Sequence, residues 1–151
     1  MSKISVLMSV YKKENPEYLR ASLESVLVQT RTADEILLIE DGPLTQELYQ
    51  VVAEYQKKCD YLHVHAMEQN VQLGRALAKG VELCQYDLIA RMDTDDIAMP
   101  DRLEKEEAYM EAHPEVDVVG GAIREFNDEG TIDRVKNMPK TQEEILEYVK
   151  V

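Results

Sequence analysis

A chain of 151 residues, 44% hydrophobic and 31% charged, is long enough to bury a real core and has the composition of a globular domain. Its 17 Lys and Arg against 30 Asp and Glu give a net charge of −13, which argues against a nucleic-acid backbone as partner and means that a phosphorylated ligand needs a cation or well-placed basic groups to bind. No apolar run approaches the ~18 residues of a membrane span, and Cys59 and Cys84 lack metal-ligand spacing, so they read as reduced thiols of a cytoplasmic protein.

The apolar, β-branched run Ile4 to Val10 predicts a buried parallel strand. It is too short for a signal peptide and is followed by Tyr11-Lys12-Lys13-Glu14 without a small-residue cleavage site. Asn15-Pro16 supplies a cap and a first-turn proline for a helix with Leu19, Leu23, Val26 and Leu27 on one face. Glu35 to Ile39 predicts a second core strand, ended by the turn Glu40-Asp41-Gly42-Pro43. A helix from Thr45 to Lys58 then turns Leu48, Val51, Val52 and Tyr55 inward. Tyr61 to Ala66 reads as a third strand, in which His63 and His65 alternate as surface or packing residues. After a polar loop over 69–72, Leu73 to Cys84 predicts a third helix with Leu77, Val81 and Cys84 on one side. The fourth strand, Leu88 to Met92, stops in Asp93-Thr94-Asp95-Asp96. Pro100 opens a fourth helix that passes through Leu103 and Met110 and stops before Pro114. Val116 to Gly121 predicts a fifth strand, and 122–136 an extended segment or hairpin around Asp128-Glu129-Gly130. Thr141-Gln142-Glu143-Glu144 is a capping box for a short last helix.

Four strand-then-helix units in succession predict an α/β fold, a mostly parallel sheet with helices on both faces. Ser9 and Tyr11 then close the first strand, Asp41 the second and Asp93 to Asp96 the fourth, all on the carboxyl edge where open α/β sheets bind ligands. Three carboxylates within four residues repel one another, and a divalent cation is the usual remedy. A calcium loop does not fit: Asp93, Asp95, Asp101 and Glu104 fall on positions 1, 3, 9 and 12, but Ala98 stands at the required glycine and Pro100 intrudes. A phosphatase-type aspartate nucleophile lacks its partner acid and lysine. It stays only as a distant alternative, and the third option is a strand-end Asp-x-Asp that clamps a metal on a diphosphate, which would stabilise the charge on a departing nucleoside diphosphate.

Four stretches, Ile4 to Tyr11, Leu23 to Thr30, Ile39 to Gly42 and Asp93 to Leu103, resemble family 2 glycosyltransferases of the GT-A fold, over nearly residues 1–121. The resemblance implies a Rossmann-like donor-binding domain over 1–121 and the start of an acceptor-side region over 122–151. It implies that Ser9 and Tyr11 line the nucleobase pocket, with the Tyr11 ring available for stacking, and that Asp41 hydrogen-bonds uracil or another base. Arg75, within Asn70 to Ala76, falls near the nucleotide, Asp95 ligates Mn²⁺ or Mg²⁺, and Asp93 contacts ribose or metal. Asp96 has at most a supporting part, and Glu40, where the family more often has Asp, is assigned none. The family's acidic general base and acceptor site lie in a later part, so no catalytic base is expected in this chain; Asp117, Glu125 and Asp128 sit in no base motif. The implied reaction is inverting transfer from a nucleoside-diphosphate sugar, UDP-sugar first, to a glycan or lipid-linked acceptor in surface polysaccharide synthesis. A cytoplasmic enzyme at the inner face of the membrane and a homodimer are further expectations. The competing reading is a nucleotide-binding module without transfer.

Overall fold

The computed structural model describes residues 2–127 and 133–150. The chain divides into two compact units, 1–107 and 108–151. The first is built from β1 (Ile4–Val10), α1 (Pro16–Leu27), β2 (Glu35–Glu40), α2 (Gln46–Lys58), β3 (Leu62–Ala66), α3 (Leu73–Leu83), β4 (Leu88–Asp93) and the start of α4 (Arg102–Ala112). All three strand pairings are parallel, in the order β3-β2-β1-β4. The expected α/β architecture, with helices on both faces, is what the chain adopts.

Alternation along the strands divides the core in two. Val6, Met8 and Val10 of β1 and Ile36 and Leu38 of β2 pack with Leu19, Leu23 and Val26 of α1, Leu48, Val51, Val52 and Tyr55 of α2, and Leu103 of α4. Leu7, Leu37 and Ile39 point to the opposite face, where Ala76 of α3 meets them. The N-terminus of α1 is set as expected, with Pro16 in the first turn and the Asn15 side chain accepting from the Glu17 N–H at 2.9 Å.

Two expectations need correction. Val81 is 55% exposed and lies outside the inner face of α3, which is Ala76 and Gly80 with Leu77 and Cys84 partly buried beside them. Gly80 is the cause: with no Cβ it lets the helix close on the Leu7 side chain, and Val81 falls past the edge of that contact line. The strand expected over 116–121 is absent, and Val118 is 85% exposed. A β-branched run becomes a strand only where another strand offers its backbone groups, and this stretch has no such partner among the described residues.

The second unit holds the hairpin β5 (Ile123–Phe126) and β6 (Asp133–Lys136), paired antiparallel, and α5 (Gln142–Tyr148). The turn expected at 128–130 lies outside the described residues. Arg124 grips the Asp133 carboxylate through two nitrogens at 2.7 and 2.8 Å, and the Thr141–Glu144 capping box forms as expected.

Candidate functional site

The strand order reverses direction at β1: β2 and β3 follow on one side, and β4 lies on the other. A crevice at such a switch point opens outside the carboxyl ends of the strands. In the register of β1 and β4, Ser9 stands directly beside Asp93; on the other side Val10 stands beside Glu40. Tyr11, 44% exposed, follows Val10, and Asp41 follows Glu40. Four of the predicted site residues therefore lie on one edge.

The loop that carries Asp95 is held from behind by α1. Ser22 donates to the Asp93 carbonyl at 2.9 Å, and Ser25 Oγ accepts from the Ala98 N–H at 3.0 Å. Gln29 donates to the carbonyls of Met99 (2.8 Å) and Ser25 (2.9 Å) and accepts from the Leu103 N–H at 3.1 Å. Ser22 and Ser25 lie one turn apart on the buried face of α1, and buried Gln29 follows two residues past its end. Thr94, between the two aspartates, is buried; its hydroxyl meets Glu14 Oε2 at 2.7 Å and the Ser9 carbonyl at 3.2 Å. That contact ties the aspartate turn to the loop bearing Tyr11.

Asp41 is 4% exposed and uses both oxygens inside the fold. Oδ1 accepts from the Val71 N–H at 2.7 Å and Oδ2 from Asn70 Nδ2 at 2.8 Å. Each carboxylate oxygen keeps a second lone pair, so Asp41 retains acceptor capacity while fastening the 69–72 loop to the strand end. Beyond this loop, Gln72 (φ 73°) opens α3, and exposed Arg75 sits in its first turn.

Glu40, without a role in the sequence reading, is buried, and its carboxyl has no hydrogen bond or ion pair among the described residues, whereas the other buried acid of β2, Glu35, accepts from Ser5 and from the Gln85 N–H. Burial pushes the Glu40 carboxyl above the usual carboxylate range. A carboxyl that holds its proton more tightly folded than unfolded adds stability at low pH and loses it as pH rises through its folded pKa. Glu40→Gln should therefore raise the melting temperature at pH 7, with the gain shrinking toward about pH 4, where the unfolded carboxyl also protonates. A melting-temperature series against pH checks this; a gain independent of pH would assign the effect to packing alone.

Asp93 is partly buried, while Asp95 and Asp96 are exposed. Lost hydration and the neighbouring Asp95 and Asp93 carboxylates push the Asp96 carboxyl up, opposed by Arg91 and Arg102. No three acidic, His or Cys side chains converge on one point among the described residues. The hard carboxylate oxygens of Asp93 and Asp95 are of the kind that Mg²⁺ or Mn²⁺ takes, and two such residues would leave most of about six positions to a ligand or water. A diphosphate carries oxygens of the right kind to complete such a shell.

The glycosyl transferase family 2 model matches residues 5–150. The chain belongs to that family. Among curated relatives it is 46% identical to an uncharacterized glycosyltransferase of Haemophilus influenzae, over 98% of this chain and 55% of the relative. It is 43% identical to the amylovoran biosynthesis glycosyltransferase AmsE of Erwinia amylovora, over 97% of this chain and 54% of that one. It is 34% identical to the UDP-Gal:alpha-D-GlcNAc-diphosphoundecaprenol beta-1,3-galactosyltransferase of Escherichia coli, over 98% and 54%. The chain spans about half the length of these relatives. The crystal structure of S. aureus TarS 1-349 in complex with UDP-GlcNAc superposes with a TM-score of 0.65 at 23% identity, covering 74% of this chain and 32% of that one. The GT-A-type α/β fold of this family is thus the fold of 1–107. No helix among the described residues of this family 2 chain is long and apolar enough to cross a membrane.

Sequence reading alone missed Asn70 and Val71 as partners of Asp41, Ser22, Ser25 and Gln29 as the support of the aspartate loop, and Thr94 as the link between its two sides. Polar residues at helical spacing within an apolar face were the available signal for the α1 group.

Proposed function

We infer that this chain is the donor-binding part of a metal-dependent, inverting glycosyltransferase acting on a UDP-sugar in surface polysaccharide synthesis. The observation that carries the reading is the gathering of Ser9, Tyr11, Asp41 and Asp93 on one sheet edge at the reversal of strand order, with Asp95 just beyond. In this reading the exposed Tyr11 ring stacks on the base, Asp41 accepts the imide N–H of uracil, and Arg75 faces the nucleotide from the first turn of α3. Asp93 and Asp95 hold Mn²⁺ or Mg²⁺, which when bound supplies Lewis-acid stabilisation of the departing diphosphate. The base that deprotonates the acceptor hydroxyl, and the acceptor site itself, belong to the further length that the curated relatives have. The relatives named for amylovoran synthesis and for a GlcNAc-diphosphoundecaprenol substrate support a glycan or lipid-linked acceptor.

Base choice is the direct test. With Mn²⁺ present, UDP should bind better than ADP, because adenine has no ring N–H for Asp41 to accept, while guanine in GDP offers one. Calorimetric titration of UDP, GDP and ADP checks this. Equal affinity for all three would remove Asp41 from base reading.

A further inference from the structure

We propose that Arg91 is a diphosphate-binding residue held in readiness by Asp93: it neutralises Asp93 in the empty crevice and turns to the donor's phosphates when a metal takes Asp93. The proposal rests on the donor-site reading above and adds to it a residue, and an exchange of partners, that neither the family motifs nor the register assigns.

Arg91 precedes Asp93 by two positions on β4, opposite Leu7 as Asp93 is opposite Ser9, so both side chains leave the same face of the sheet. Their ion pair is solvent-facing, with side chains 50% and 31% exposed. The other arginine near the aspartates is committed elsewhere. Arg102 donates through Nε to Glu106 and through a terminal nitrogen to the Arg91 carbonyl, both at 3.0 Å, and its remaining nitrogen lies 3.0 Å from the Met92 sulfur. Arg91 has Asp93 as its one ion-pair partner among the described residues. An exposed pair of this kind contributes little stability and is exchanged at little cost. A guanidinium on a phosphate makes charge-assisted, two-pronged hydrogen bonds, the stronger arrangement. In a chain at −13, an exposed positive charge beside Asp93 is also what a diphosphate needs.

The exchange has two consequences of opposite sign. Removing the Arg91 charge leaves Asp93 without a competitor, so a metal alone binds more tightly. The diphosphate meanwhile loses a donor, so nucleotide in the presence of metal binds less tightly. The intact chain is tested as wild type, Arg91→Gln and Arg91→Lys. Mn²⁺ binding without nucleotide is read by electron paramagnetic resonance, and UDP binding at saturating Mn²⁺ by calorimetry. Arg91→Gln is expected to bind Mn²⁺ several-fold more tightly and UDP roughly tenfold more weakly, the size of one lost charge-assisted hydrogen bond. Arg91→Lys keeps the charge but not the fork, so its Mn²⁺ affinity stays at the wild-type level while its UDP affinity falls in between; this variant decides the matter if circular dichroism finds Arg91→Gln unfolded. Two affinities that move in the same direction, or that do not move, overturn the proposal. A wild-type chain that binds no UDP with Mn²⁺ removes the donor-site reading itself, and the proposal with it.

Discussion

Asp95→Ala is expected to abolish the dependence of UDP binding on Mn²⁺ and to cost about 3 kcal/mol of affinity at saturating metal, roughly a hundredfold. The physical cause is the charge balance of the carboxyl edge. A ligand with two or more negative charges approaches Asp93, Asp95 and Asp96 in a chain already at −13, and without a cation that encounter is repulsive. With a cation held as proposed, the aspartates and the diphosphate would together fill its coordination, so metal and nucleotide should bind synergistically and each weakly alone. Asp96→Ala should do noticeably less, since Asp96 feels its neighbours chiefly as repulsion. Asp101→Ala should do least, because Asp101, just ahead of α4, is engaged with Lys105 at 2.6 Å. Calorimetry of UDP with Mn²⁺ and with EDTA reads all four cases. Affinity indifferent to EDTA and to Asp95→Ala would reduce the aspartates to a polar turn.

The second large effect is expected at Gly42, a residue with no ligand contact of its own in the proposed donor site. Gly42 has φ 83°, which disfavours any side chain, and a Cβ there would lie 2.5 Å from the Asn70 nitrogen and 2.9 Å from the Gln69 carbonyl carbon. Both are backbone atoms and cannot swing aside. Gly42→Ala must therefore push the 69–72 loop away from the end of β2, breaking the hydrogen bonds of Asn70 and Val71 to Asp41. Conformational strain and the lost bonds together should cost about 3 kcal/mol of stability. Urea denaturation measures that cost, and UDP titration under folding conditions should register a loss of affinity alongside it. Unchanged stability with unchanged binding would mean that the loop is not anchored at the strand end.

How much of this was legible in the sequence follows from the range of the interactions involved. The first four strands and helices were readable because their signals are local: β-branched runs, helical spacing of Leu19, Leu23 and Val26, the Asn15-Pro16 start. The common edge of Ser9, Asp41 and Asp93 was readable too, because repeated strand-helix units can close into a parallel sheet in only a few ways. Val116 to Gly121 was misread because a strand is a pairing, and the propensity of one stretch says nothing of a partner. The support of the aspartate loop was invisible for a related reason. Ser22, Ser25 and Gln29 bond to main-chain atoms 70 to 74 residues away, and a peptide group carries no residue type for a reader to match. The hold of Asp41 on Asn70 and Val71 spans 29 to 30 residues and hid in the same way inside an ordinary-looking polar loop.

Because Ser25 of α1 and the adjoining Gln29 hold Ala98, Met99 and Leu103 by their peptide groups, the exposed side chains among them carry none of that hold. Ile97 and Met99, 53% and 60% exposed, can be replaced without disturbing what Ser25 and Gln29 hold. The outer surface beside the two aspartates can therefore differ in side chain without moving the backbone that sets them. Such a separation lets shape and polarity beside the aspartate turn change while the scaffold beneath it stays as it is.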